Sequence, residues 1–170
     1  MLSEIADIDR LRRGAFLVSV MRLFHFSENG DIGLFEPRPV AVPALRAPGS
    51  EWLNGPLVWT IDGWHQPMYL FPRDCPRILL WPIADTSADD LQSYWGTRSC
   101  RMVAYIESGW FEVLSHSVLY RYELPPDAFE SLGDAGMWVA RSAVEPVAVE
   151  RIDDLPDTRA HRVELMVAPS

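Results

Sequence analysis

From Met21 onward the apolar residues come in short runs, each closed by proline, glycine or a polar turn, and this brevity limits the fold more than any other feature. Short runs rich in aromatic and β-branched residues suit strands. Parallel strands, in contrast, need crossovers of a dozen or more residues, usually helices. Arg22–Ser27, Leu57–Ile61, Arg77–Trp81, Arg101–Glu107, Val118–Leu124 and Arg162–Val167 read as strands, with Trp138–Ala140 and the alternating Val144–Ile152 stretch beside them. Between them only short helices fit: one around Trp64–Phe71, one capped by Ser87 with Asp89 and Asp90 in its first turn, one at Trp110–Leu114 and a turn at Asp127–Glu130. No glycine-rich strand-to-helix turn occurs, so a doubly wound fold is disfavoured. The expectation is an α+β fold with curved mixed, mostly antiparallel sheets and short helices.

The chain has 170 residues, enough for one well-buried core and short for two. Residues 21–170 read as a single α+β domain and residues 1–20 as an N-terminal extension. The segment from Asn29 to Pro56, dense in proline and glycine, reads as a long surface loop of the kind that often carries a lid or binding segment.

Hydrophobic residues make up 48% and charged residues 23% of the chain, a balance that supports folding without a partner. Fifteen Lys and Arg against 24 Asp and Glu give a formal charge of −9, which argues against non-specific nucleic-acid binding. All fifteen basic residues are Arg, and a local Arg cluster can still grip one anion whatever the net charge. The apolar run Ala15–Val20 is too short for a membrane span or a signal peptide. Cys75 and Cys100 lie outside any zinc spacing, which fits reduced thiols and a cytoplasmic protein without membrane attachment.

Three constellations can carry chemistry. In Phe24-His25-Phe26-Ser27, strand alternation places His25 and Ser27 on the face opposite both phenylalanines. An imidazole there either orients a ligand hydroxyl or moves a proton, or it bonds a neighbouring loop for structural reasons. In Leu57-Val58-Trp59-Thr60-Ile61-Asp62, Trp59 either stacks on a flat ring or belongs to the core, with Thr60 on the opposite face. In Phe71-Pro72-Arg73-Asp74-Cys75-Pro76-Arg77, Arg73 and Arg77 either hold a phosphate or carboxylate or pair with Asp74. Glu107, Glu123, Glu145 and Glu150 end or follow strands, and spacing singles out none of them. No GxSxG, HExxH, P-loop or GxGxxG motif and no paired metal ligands occur, which disfavours classical hydrolases, zinc peptidases and nucleoside-triphosphate enzymes.

The segments MRLFHFSEN, LVWTIDGWHQPMYLFPRDCPR, YIESGWFE, LYRYELPPDAFE and MWVARSAVEPVAVE resemble a family of uncharacterised bacterial proteins across residues 21–168, a resemblance that implies no activity. The order aromatic-His-x-Ser and then aromatic-Thr-x-Asp before a short helix also resembles the opening half of ADP-ribosyltransferase-like domains. That resemblance implies NAD as the ligand, His25 on its ribose, Trp59 against nicotinamide and a later acidic residue stabilising the transition state. Met137 stands where that acid usually sits, and Glu145 is the nearest substitute. The expectation is a cleft for NAD or ADP-ribose formed by His25, Ser27, Trp59, Thr60, Arg73 and Arg77, with His25 and Glu145 as the catalytic pair if there is turnover. The rivals are a non-catalytic accessory domain that meets a protein partner, and an enzyme using His25 or His65 as base on an anionic metabolite.

Overall fold

In the computed structural model, residues 21–156 and 163–168 are described; the expected extension at 1–20 lies outside them. Among the described residues nine short strands build two sheets: β1 (Leu23–Ser27), β2 (Val58–Asp62), β3 (Arg77–Leu80), β4 (Met102–Glu107), β5 (Leu119–Leu124), β6 (Glu130–Ser131), β7 (Met137–Ala140), β8 (Ala148–Ile152) and β9 (Val163–Ala168). The larger sheet runs β6-β7-β2-β1-β5-β8 and is antiparallel throughout. The smaller runs β3-β4-β9, antiparallel between β3 and β4 and parallel between β4 and β9. This is the expected α+β class with mixed, mostly antiparallel sheets.

The helices are as short as the sequence requires. Ser87 caps the turn Ala88–Asp90 by accepting the Asp90 N–H at 3.1 Å, and Trp110–His116 leads into β5. The expected helix around Trp64–Phe71 shrinks to one 3₁₀ turn, Gln66–Tyr69, opened by proline at its second position. The alternating stretch from Val144 pairs regularly only over β8, while Val144 itself makes an isolated bridge to Phe35.

Cross-strand partners share a face, so register divides the large sheet cleanly. Leu23, Val58, Tyr122, Leu124 and Ala140 fill one face, and Phe35 from the long 29–56 segment, Phe129 and Val144 cover them. Phe26, Leu119 and Ile152 stand on the other face, packed with Met102, Ala104, Ile106 and Leu114 of the small sheet and its helix. That second core joins the two sheets. The long segment is therefore more than a surface loop, since it supplies a buried ring and its Arg38 bridges Leu57, the residue just before β2.

Tyr122 ties the start of that segment to the sheet. Its hydroxyl donates to the Asn29 carbonyl at 2.8 Å and accepts the Ile32 N–H at 3.1 Å, on a side chain only 1% exposed. Tyr122→Phe strips partners from two backbone groups while keeping the ring. Urea unfolding of the variant should show a loss of about 1–3 kcal/mol; a loss below the error of that measurement would mean that the tie contributes nothing.

Candidate functional site

The ladder between β1 and β2 is shorter than either strand. Both run five residues, yet only Leu23↔Asp62 and Phe24↔Ile61 are in register. Their outer edges are fully paired, β1 with β5 over five positions and β2 with β7 over four, so the two strands part company only in the middle of the sheet. Continued pairing would set Phe26 opposite Trp59 on one face. Where the strands separate, His25 Nδ1 lies 2.9 Å from the Trp59 carbonyl oxygen. A carbonyl only accepts, so Nδ1 carries the proton and Nε2 is left with a lone pair. Among the described residues that Nε2 has no hydrogen-bond partner.

A cavity of about 550 Å³ opens at this split. Phe24, Phe26, Trp59, Ile61 and Met137, whose side chains share the face toward the small sheet, line it together with His25 and Thr60, whose side chains take the opposite face. Tyr69, Phe71, Arg73 and Arg77 close the far side. The size falls within the ~300–1,000 Å³ typical of small-molecule sites. Tyr69 stacks on Phe26 with ring centroids 6.4 Å apart and points its hydroxyl at Met137 Sδ, 3.6 Å away. Burial pushes the Tyr69 phenol up, so it stays protonated.

The electrostatics are set by two arginines. Arg77, half-buried, donates through Nε to the Met68 carbonyl at 3.0 Å and through Nη1 to the Cys75 carbonyl at 3.1 Å, and it stacks over Phe71 at 5.4 Å. No carboxylate pairs with it among the described residues, and desolvation depresses its pKa without removing its charge. Arg73 is exposed at the rim, and Asp74 pairs with neither arginine. Glu28 is the one acid in the lining and holds the Arg73 backbone N–H at 3.1 Å. Burial, and then the nearby Arg73 charge, lower the His25 pKa against the opposing pull of the Trp59 carbonyl. The imidazole is therefore neutral at pH 7, with its Nε2 lone pair unengaged among the described residues and its ring against Phe35, centroids 4.7 Å apart.

Of the residues singled out by sequence, the structure brings His25, Ser27, Trp59, Thr60, Arg73 and Arg77 together in this lining. It does not bring Glu145, which is exposed beside the Val144 bridge and lines no part of the cavity. Met137 occupies the wall instead. Ser27 Oγ already accepts the Asn29 N–H at 3.1 Å, leaving its own proton to donate. His65 is bound to Asp62, Nδ1 to both carboxylate oxygens at 3.0 Å, outside the lining. That pair packs against Gly136, where an added Cβ would lie 2.6 Å from Asp62 Oδ2 and where φ is +70°, so only glycine fits. Sequence reasoning gave no role to Glu28, Tyr69 and Phe71, and took Met137 only as the residue standing in place of an acid. The first three border motifs that were read, but their convergence needs two sheets.

The chain is thus a two-sheet α+β protein with a cleft where its large sheet splits. It belongs to the family of unknown function DUF6886, whose model matches residues 24–170. No curated protein and no solved structure matches it. Among the described residues no helix is long and apolar enough to cross a membrane, and no cluster of three or more His, Cys, Asp or Glu is placed to hold a metal ion.

The lowered His25 pKa has a stability consequence of definite sign. The unfolded chain takes up a proton near the ordinary value of 6.5 while the folded chain does not, so stability is full above 6.5 and falls as the pH drops from there to the lowered folded value. Urea unfolding across pH 7.5 to 5 should show wild type losing stability more steeply than His25→Asn; parallel curves would place His25 in an exposed environment.

Proposed function

We propose that the protein binds an anionic nucleotide of the NAD or ADP-ribose class in the cleft between β1 and β2. The observation that carries this reading is Arg77, a desolvated guanidinium without a carboxylate partner among the described residues, facing a cavity with aromatic walls. A half-buried cation without a carboxylate partner is costly, and an anionic ligand offsets that cost. Trp59 and Tyr69 offer faces for a flat ring. His25 Nε2, which accepts, and Ser27, which can donate, suit the hydroxyls of a ribose. The ADP-ribosyltransferase-like order of His25, Trp59 and Thr60 along the chain supports the same ligand class.

The reading is one of binding. Transfer from NAD calls for a carboxylate beside the developing positive charge, and Met137 stands on the strand next to β2 where the resemblance would put it. Glu145 lies outside the cleft, and Glu28 is engaged at the rim with a backbone amide.

Titration of the purified protein with NAD, ADP-ribose, AMP and inorganic pyrophosphate, followed by thermal unfolding, tests this. Ligand at 100 times Kd stabilises the folded state by about 2.7 kcal/mol, so the unfolding midpoint should rise with dose for the nucleotides. Arg77→Met and His25→Ala should each abolish the rise. A flat response to all four ligands at millimolar concentration would overturn the reading.

A further inference from the structure

With His25 neutral, the charged side chains of the cleft lining are Arg73, Arg77 and Glu28, and no ion pair among the described residues joins any two of them. Glu28 is exposed at the rim, yet the chain around it is pinned from several sides. Ser27 Oγ accepts the Asn29 N–H at 3.1 Å, and Asn29 Oδ1 accepts the Asp31 N–H at 3.0 Å. The Tyr122 hydroxyl holds the Asn29 carbonyl and the Ile32 N–H. Gly30 presses on Tyr120, whose ring lies 2.6 Å from where a Cβ would stand, so no larger residue fits without a shift. From this turn the Glu28 side chain reaches the loop that carries both arginines, where Oε1 accepts the Arg73 N–H at 3.1 Å. Oε2 has no hydrogen-bond partner among the described residues.

At neutral pH a carboxylate oxygen only accepts: it takes a hydroxyl proton from a ligand and repels a second anion. In a nucleotide the ribose lies between the base and the phosphates. With the base against Trp59 and Tyr69 and the phosphates at Arg77 and Arg73, the sugar turns its hydroxyl edge to the remaining charged group of the lining. We propose that Glu28 is a specificity-determining residue of the cleft, which receives the 2′- and 3′-hydroxyls of the nucleoside ribose and rejects the same nucleotide carrying a 2′-phosphate. Two arginines match the two phosphates of a nucleoside diphosphate, and a third phosphate meets a negative charge instead of a cation. This inference rests on the cleft being a nucleotide site.

Calorimetric titration of the full chain with ADP-ribose and with its 2′-phosphate tests it, since adenine is the one flat ring in either compound. Wild type should bind ADP-ribose about tenfold tighter or more, and the gap should narrow in about 0.5 M salt because the repulsion acts at an exposed rim. In Glu28→Gln the amide oxygen still accepts the Arg73 N–H while the amide nitrogen donates where Oε2 stood, so the gap should close to within about threefold. A loosened arginine loop would instead weaken both compounds together and leave their ratio unchanged. Equal binding by wild type, a gap indifferent to salt, or a gap unchanged in Glu28→Gln each overturns the assignment of Glu28 while the nucleotide reading stands. If neither compound binds, both fall.

Discussion

The hydrogen bond between His25 Nδ1 and the Trp59 carbonyl marks the place on which the architecture of the cleft depends. A β-ladder satisfies backbone groups by pairing them, and a buried backbone carbonyl without a partner is costly. Between β1 and β2 the pairing ends after two positions, and the imidazole takes up the Trp59 carbonyl beyond that point. The sheet stays whole because β5 and β7 hold the outer edges of the two strands. The separation exposes the edges of both strands to one cavity, and side chains from opposite faces of the sheet, Trp59 and His25, meet there.

The same bond fixes the chemistry that the imidazole presents. Engaged through Nδ1–H and disfavoured as a cation by burial and by Arg73, His25 offers an acceptor at Nε2. Arg77 is held in a comparable way, by two carbonyls and a ring, with no carboxylate partner among the described residues. Both groups are thus oriented by the protein itself. The surface ion pairs Arg22–Glu123, Arg98–Glu164 and Arg141–Glu130 stand in contrast: they join exposed arginines to carboxylates and consume their charge locally. Among the described residues Arg73 and Arg77 lack such partners, and both border the cleft.

Much of this was legible in the chain. The shortness of the apolar runs set the strands and ruled out regular crossover helices, and the strand boundaries at Leu57–Ile61, Arg77–Trp81 and Val118–Leu124 came within about a residue of β2, β3 and β5. Alternation placed His25 and Ser27 opposite Phe24 and Phe26, because the side-chain period in a strand is fixed at two by backbone geometry. The proline and arginine spacing of Phe71–Arg77 marked a rigid basic loop, and the structure brings both arginines to the cleft. Glu145 was reached only by counting forward from Met137; the chain turns away after β7, and Val144 goes to Phe35 instead of to the cavity.

What the sequence determined by itself was local: strand and turn periodicity, the face each side chain takes, and the absence of a metal or nucleotide-triphosphate motif. Tertiary structure decided the rest. Whether a histidine on one face and a tryptophan on the other share a site depends on where a ladder between two strands stops, and that is set by what pairs with their far edges. Whether Arg77 is a surface charge or a half-buried one beside the cleft depends on the small sheet bringing β3 against the large one. Pairings of this kind join residues far apart in the chain, and no local periodicity encodes them.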